Sequence, residues 1–276
     1  VLEEAFSKLN EIVDDYPSSE LAVKLISGQR IGAISLEIVG KVAETIRQKA
    51  KNAAAEAREE AERAREEEEW VREFDKTLKA AEQGDAGAQY DLGFRYYFGK
   101  EFVSQDYAEA LKWFREAAEQ GYGKAQFSLG FVYEHGHGVS ESDAEAFKWY
   151  RKAAEQGHLF AQLELGKIYE SGDGIAKNIK TAIKWYELAA EQGSSFAQCT
   201  LGNIYDFGEE VKQDHEVAVK WYRMGAEQGS AGAQFCLAYM YEYGEGVKQD
   251  YRQAFRWYRK AALQGYTAAQ FNLGLR

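Results

Sequence analysis

The chain has 276 residues, 45% hydrophobic and 14% aromatic, enough apolar material for a core and too much for global disorder. Its net charge of −11 is shared between residues 1–83 (19 acidic, 13 basic) and 84–276 (26 acidic, 21 basic), so neither part offers the basic surface that binds nucleic acid or an anionic membrane. Two cysteines, Cys199 and Cys236, are too few for a disulfide framework and favour a reducing compartment such as the cytoplasm, with the periplasm or secretion as the alternatives.

From the N-terminus, "EIVDDYPSSELAVKLI" reads as helix, turn at Pro17, helix, with Ser18 or Ser19 as N-cap. Ile31, Ile34, Ile38 and Val42 continue an apolar pattern, which predicts a small helical segment over residues 1–46. The most apolar stretch, Leu21–Val42, is interrupted by Lys24, Arg30, Glu37 and Lys41, so direct membrane insertion is not expected. The first residue is Val1 rather than Met, and the chain is expected to be a piece of a longer protein.

Residues 47–83 read as a charged helix. From Glu56 to Lys76, 15 of 21 residues are charged, and Glu59–Arg63 and Glu68–Arg72 have the favourable i, i+4 order. Ala50, Ala54, Ala57, Ala61 and Ala64 form a thin stripe. A solvated connecting helix is the simplest reading; an alanine-lined coiled coil or a disordered linker are the alternatives. Its end, "AAEQG", is expected to cap the first repeat unit.

From Gly84 onward one phrase recurs. "KWFREAAEQG", "KWYRKAAEQG", "KWYELAAEQG", "KWYRMGAEQG" and "RWYRKAALQG" end on Gly121, Gly157, Gly193, Gly229 and Gly265, 36 residues apart. A fixed period of this length means a stack of supersecondary units, here five complete units and a half over residues 84–276. In each unit the spacing predicts two helices. Ala161, Leu165, Ile168 and Tyr169 share one helical face, "SGDG" breaks the chain, and Ala182, Trp185, Tyr186 and Ala189 share the next face. Asp106, Ser142, Asn178, Asp214 and Asp250 stand where the second helix starts and are read as N-caps.

The phrases "AQFSLGFVYEHGHGV" and "AFKWYRKAAEQG" closely resemble the Sel-1-like repeat, a relative of the tetratricopeptide repeat. The resemblance covers roughly residues 78–276. It implies an all-α fold, a right-handed α/α superhelix, serving as an adaptor or scaffold surface in signalling or in the assembly of protein complexes. The first unit has an extra residue in "GKEFV" and the fourth has "GEEV" in place of G-x-G-V, local departures in two loops. Some family members carry a cysteine pair in each unit and are linked to β-lactams. Cys199 and Cys236 are not at equivalent positions, so they read as small packing residues.

No catalytic constellation stands out: nothing resembles a nucleophile beside a base, or two carboxylates in a dry pocket. No cofactor is expected. His135 and His137, two residues apart without further Cys or His nearby, make a poor ligand set, and no metal site is read. The Trp–Tyr pairs recur at fixed positions and read as core. Function is sought where the units differ. On the first helices those positions are Asp91, Phe94 and Phe98; Ser128, Phe131 and His135; Glu164, Lys167 and Ser171; Thr200, Asn203 and Phe207; and Cys236, Tyr239 and Tyr243. They share one helical stripe, aromatic at both ends and polar in the middle. If first helices line the inner wall, the stripe forms a concave groove for a peptide or helix of a partner protein. Self-association through the charged helix or the C-terminal end, and β-lactam hydrolysis, are the alternatives.

Overall fold

The computed structural model describes residues 36–99 and 102–274, which fall into two units divided after Asp75. The Pro17 turn, the Ser18 or Ser19 cap and most of the expected 1–46 segment lie outside the described residues. In the first unit the described part belongs to helix α1, Leu36–Glu82, which continues to the first repeat. Residues 47–69 are exposed throughout, as a run so rich in charge dictates, and Arg63 pairs with Glu59 at 3.6 Å.

The second unit is an all-α solenoid of stacked helix–turn–helix pairs. The first helices are α2 (Ala86–Phe98), α4 (Gly123–His135), α6 (Leu159–Ser171), α8 (Ser195–Phe207), α10 (Ala231–Tyr243) and the shorter α12 (Thr267–Gly274). The second helices are α3 (Tyr107–Glu119), α5 (Asp143–Glu155), α7 (Ile179–Glu191), α9 (His215–Glu227) and α11 (Tyr251–Leu263). Each helix packs on the next in chain order, and α8 also touches α10.

The helix boundaries follow from caps. Asp106, Ser142, Asn178, Asp214 and Asp250 each accept a backbone N–H of the helix they precede, satisfying donors the helix leaves unpaired. Each complete first helix ends on a glycine in the left-handed region, such as Gly172 at φ 83°. The fourth unit lacks the second loop glycine, and there Glu210 pairs with Lys177 instead. Residues 100 and 101, in the first loop, lie outside the described set.

Packing assigns the repeated residues. The ring fully buried in each later unit is the tyrosine of "KWY" or "RWY": Tyr150, Tyr186, Tyr222 and Tyr258. It packs against a first-helix residue of its own unit, a glycine in most; a methyl on Gly130 would meet Tyr150 at 2.6 Å. The tryptophan sits one step further out and reaches the neighbouring unit. Trp149 packs with Ala117 and Ala118 of the preceding second helix and with Ala125 and Leu129, and Lys152 covers its face at 4.0 Å. Leu92, Leu129, Leu165, Leu201 and Leu237 are fully buried, each contributing about 1.5–3 kcal/mol.

The recurring glutamines form a buried ladder. Gln162 Nε2 donates to the Ala154 carbonyl of the preceding unit at 3.3 Å, and its Oε1 accepts from Gln192 at 2.8 Å. Gln89, Gln126, Gln198 and Gln234 repeat both bonds. Gln89 makes its bond to Ala81, so residues 76–82 take the place that a second helix has elsewhere.

Candidate functional site

The expected stripe is carried by α2, α4, α6, α8 and α10, because residues three and four apart on a helix lie on one face. Phe94, Phe98, His135, Lys167, Phe207, Tyr239 and Tyr243 are exposed, as is Asp91; Ser128, Phe131, Glu164, Thr200 and Asn203 are partly buried. Phe207, at 67% exposure, is the most open aromatic of the set. Within a helix the stripe residues pair: Phe94 with Phe98 (ring centroids 4.5 Å), Phe131 with His135 (4.0 Å), Tyr239 with Tyr243 (4.4 Å), and Lys167 with Glu164 (2.9 Å).

Among the described residues, three cavities follow one another along this face in chain order. The first, about 420 Å³, is aromatic: Phe94, Phe98 and Phe131 of the stripe are joined by Tyr90, Phe127 and Phe160. The second, about 400 Å³, holds Glu164, Lys167 and Ser171 with Glu134, Asp143 and Asp173. The third, about 240 Å³, holds Thr200, Asn203 and Phe207 with Glu170, Lys177, Glu209 and Glu210. The face is therefore apolar at one end and acidic along its middle, where carboxylates outnumber lysines.

His158 lines the aromatic cavity, and His135 and His137 stand at and just beyond the end of α4. His158 caps α6 by accepting the Ala161 N–H and stacks on Phe127 at 4.7 Å; burial, then the Lys124 charge, lowers its pKa, which favours the neutral ring. His137 shares a 2.5 Å hydrogen bond with Tyr97 and stacks on Tyr107 at 4.9 Å, while His135 donates to the Phe131 carbonyl at 3.0 Å. The imidazoles of His135 and His137 are thus engaged in contacts with their neighbours.

The fourth unit departs from its neighbours. Tyr150, Tyr186 and Tyr258 donate to Glu134, Glu170 and Glu242 at 2.6–2.8 Å. Asp206 replaces that glutamate and is one methylene shorter. Tyr222 reaches it only at 3.2 Å and donates at 2.8 Å to Asn203. Asn203, expected on the binding stripe, thus turns its oxygen to the core. Cys199 and Cys236 are free thiols against one core cluster; their mutual hydrogen bond lowers the Cys199 pKa and, together with burial, raises that of Cys236.

Sequence reasoning missed Tyr90, Phe127 and Phe160. The first two directly follow Gln89 and Gln126, a position apolar in every complete unit, whose variation in size was the available signal.

Comparison with known proteins gives a consistent picture. The family profile described as Sel1 repeat matches residues 86–122, 123–158, 159–194, 195–230 and 231–266. The crystal structure of c5321, described as a protective antigen present in uropathogenic Escherichia coli strains displaying an SLR fold, is similar with 40% identity and a TM-score of 0.69. The similarity covers 72% of this chain and 43% of that one, so this chain spans less than half the length of that relative. A Sel1 repeat protein from Oxalobacter formigenes is similar with 43% identity and a TM-score of 0.61, over 68% of this chain and 74% of its own. No curated protein matches the chain.

Proposed function

The chain belongs to the Sel1 repeat family, whose members are generally protein–protein interaction modules and typically non-enzymatic scaffolds, and from that premise we propose that it holds a partner segment against its first-helix face. The observation that supports this is the alignment of the varying residues with three consecutive cavities on one side of the solenoid. The packing residues repeat because every unit needs them; the stripe residues vary, and several are exposed aromatics, which bind with large area and little rotamer loss.

The chemistry of the face defines the partner. An aliphatic or aromatic side chain fits the cavity of Phe94, Phe98, Phe127 and Phe131, and basic residues further along meet Glu134, Asp143, Glu164 and Asp173. Peptides selected from a random library on the intact chain should combine an apolar anchor with Lys or Arg. They should bind more weakly to Phe94→Ala/Phe98→Ala, with the helical spectrum unchanged. A library that yields no binders, or binders indifferent to that double variant, defeats the reading.

A second reading is self-association, favoured by Leu263, 77% exposed at the end of α11. Molar mass by light scattering distinguishes it: the partner reading expects a monomer.

A further inference from the structure

We propose that Asp206, His215 and Glu245 form a binding site for a divalent transition-metal cation of the zinc class, bridging the fourth and fifth repeats. Among the described residues this is the one group of three such side chains whose ligand atoms all lie within 4.8 Å of one another. All three are partly buried, and they come from three elements: the last turn of α8, the first residue of α9 and the loop after α10.

The backbone brings them together. Gly244 closes α10 at φ 75°, and Gly246 at φ 62° lets the loop touch the start of α9. A methyl on Gly246 would run into the His215 carbonyl group and lie 2.7 Å from the Glu216 nitrogen, so only glycine permits this approach, which carries Glu245 to the histidine.

The donor set selects the ion. One imidazole nitrogen with two carboxylates suits zinc and its first-row neighbours; calcium and magnesium prefer oxygen throughout. Tetrahedral ligands about 2.0–2.2 Å from zinc lie about 3.3–3.6 Å apart; atoms that lie within 4.8 Å of one another therefore need to close by no more than about 1.5 Å, while Asp206 Oδ1 and His215 Nδ1, 2.8 Å apart, open slightly to admit the ion. The surroundings orient the carboxylate. Asp206 Oδ1 meets His215 Nδ1 at 2.8 Å, while Oδ2 accepts from Tyr222 at 3.2 Å. The Tyr222 bond is an outer hydrogen bond of the kind that fixes the direction of a metal ligand.

Comparison within the chain separates this set from the needs of the fold. The equivalent positions at earlier junctions are Tyr97, Tyr107 and His137, then Glu134, Asp143 and Asp173, then Glu170, Ile179 and Glu209. In the first set the rings pack on one another. In the next two the glutamate is held by a core tyrosine at 2.6 Å. The solenoid thus accepts quite different residues here. Only the fourth junction combines a shortened acid, loosely held by its tyrosine, with an imidazole and a second acid.

Isothermal titration of zinc chloride into the full chain tests the site. The expected result is one saturable site per chain, weakened by about tenfold or more in His215→Ala and in Glu245→Gln. Glu245→Gln lies in a loop and leaves α8 and α9 intact, which separates ligand loss from misfolding. Zinc should also raise the unfolding midpoint of the parent chain but not of Glu245→Gln. The His135→Ala/His137→Ala double variant should bind like the parent. Absence of saturable binding, binding that survives both His215→Ala and Glu245→Gln, or binding lost with His135 and His137, overturns the proposal.

Discussion

Gly202→Ala and Gly232→Ala place the same methyl on two helical glycines and should change stability in opposite directions. At Gly202 the new Cβ would lie 2.5 Å from Cδ1 of Tyr222 and closer still to Cε1, against a relaxed carbon–carbon distance of about 3.5–4.0 Å. Tyr222 is fully buried and its hydroxyl is tied to Asn203 and Asp206, so the ring cannot retreat without disturbing both. Overpacking of this kind costs about 1–3 kcal/mol, and a weakened hydroxyl bond about 1 kcal/mol more. Alanine's helical preference returns about 1 kcal/mol, leaving a net loss of about 1–3 kcal/mol. At Gly232 the nearest atom is Cys199 Sγ at 3.8 Å, an ordinary contact. There the helical gain stands alone, about 0.5–1 kcal/mol of stabilisation. The assay is the urea midpoint by far-ultraviolet circular dichroism. The fifth unit carries Ala238 naturally against Tyr258, so the repeat absorbs the methyl when the ring contact is set around it. A Gly202→Ala midpoint raised as far as that of Gly232→Ala would refute the glycine–tyrosine contact as the reason for the repeated glycine.

Two further predictions concern the polar core. Gln198→Leu removes the bonds to the Ala190 carbonyl (3.0 Å) and from Gln228 (2.7 Å), and should cost about 1–3 kcal/mol by urea unfolding, while Thr200→Ala on the same helix stays within about 0.5 kcal/mol. Burial raises the hydroxyl pKa of Tyr150, Tyr186 and Tyr222 above the usual phenol range and that of Tyr258 to about 12. Because unfolding releases these protons, their contribution is intact below about pH 10 and falls as pH rises above it, that of Tyr258 being lost by about pH 12. Unfolding midpoints across this range should decline, and less steeply in Tyr186→Phe.

The repeat period, the second-helix caps and the existence of a varying stripe were all legible in the sequence, because each depends on residues close together or on a strict interval. The division of labour among the repeated residues was not. The glutamine beside each alanine served as a landmark; its bonds to a carbonyl eight residues back and to a glutamine thirty residues ahead need the folded stack. Tyrosine and tryptophan looked alike as core, yet only the tyrosine lies on the glycine. Asn203 varies between units and was read as available, but the short side chain of Asp206 draws its oxygen to Tyr222. Asp206, His215 and Glu245 were beyond reach because only the turn at Gly246 brings the third beside the first two.

The central claim, that the repeated residues hold the stack while the varying first-helix residues face a partner, is tested most directly by one comparison. The dissociation constant of a selected peptide should be measured for the parent chain and for Phe131→Ala/Phe207→Ala/Tyr239→Ala, together with the unfolding midpoint of each. The account predicts binding weakened by at least about a hundredfold, a loss of about 2.7 kcal/mol or more, with a midpoint close to that of the parent. Equal affinity in the two chains would contradict it.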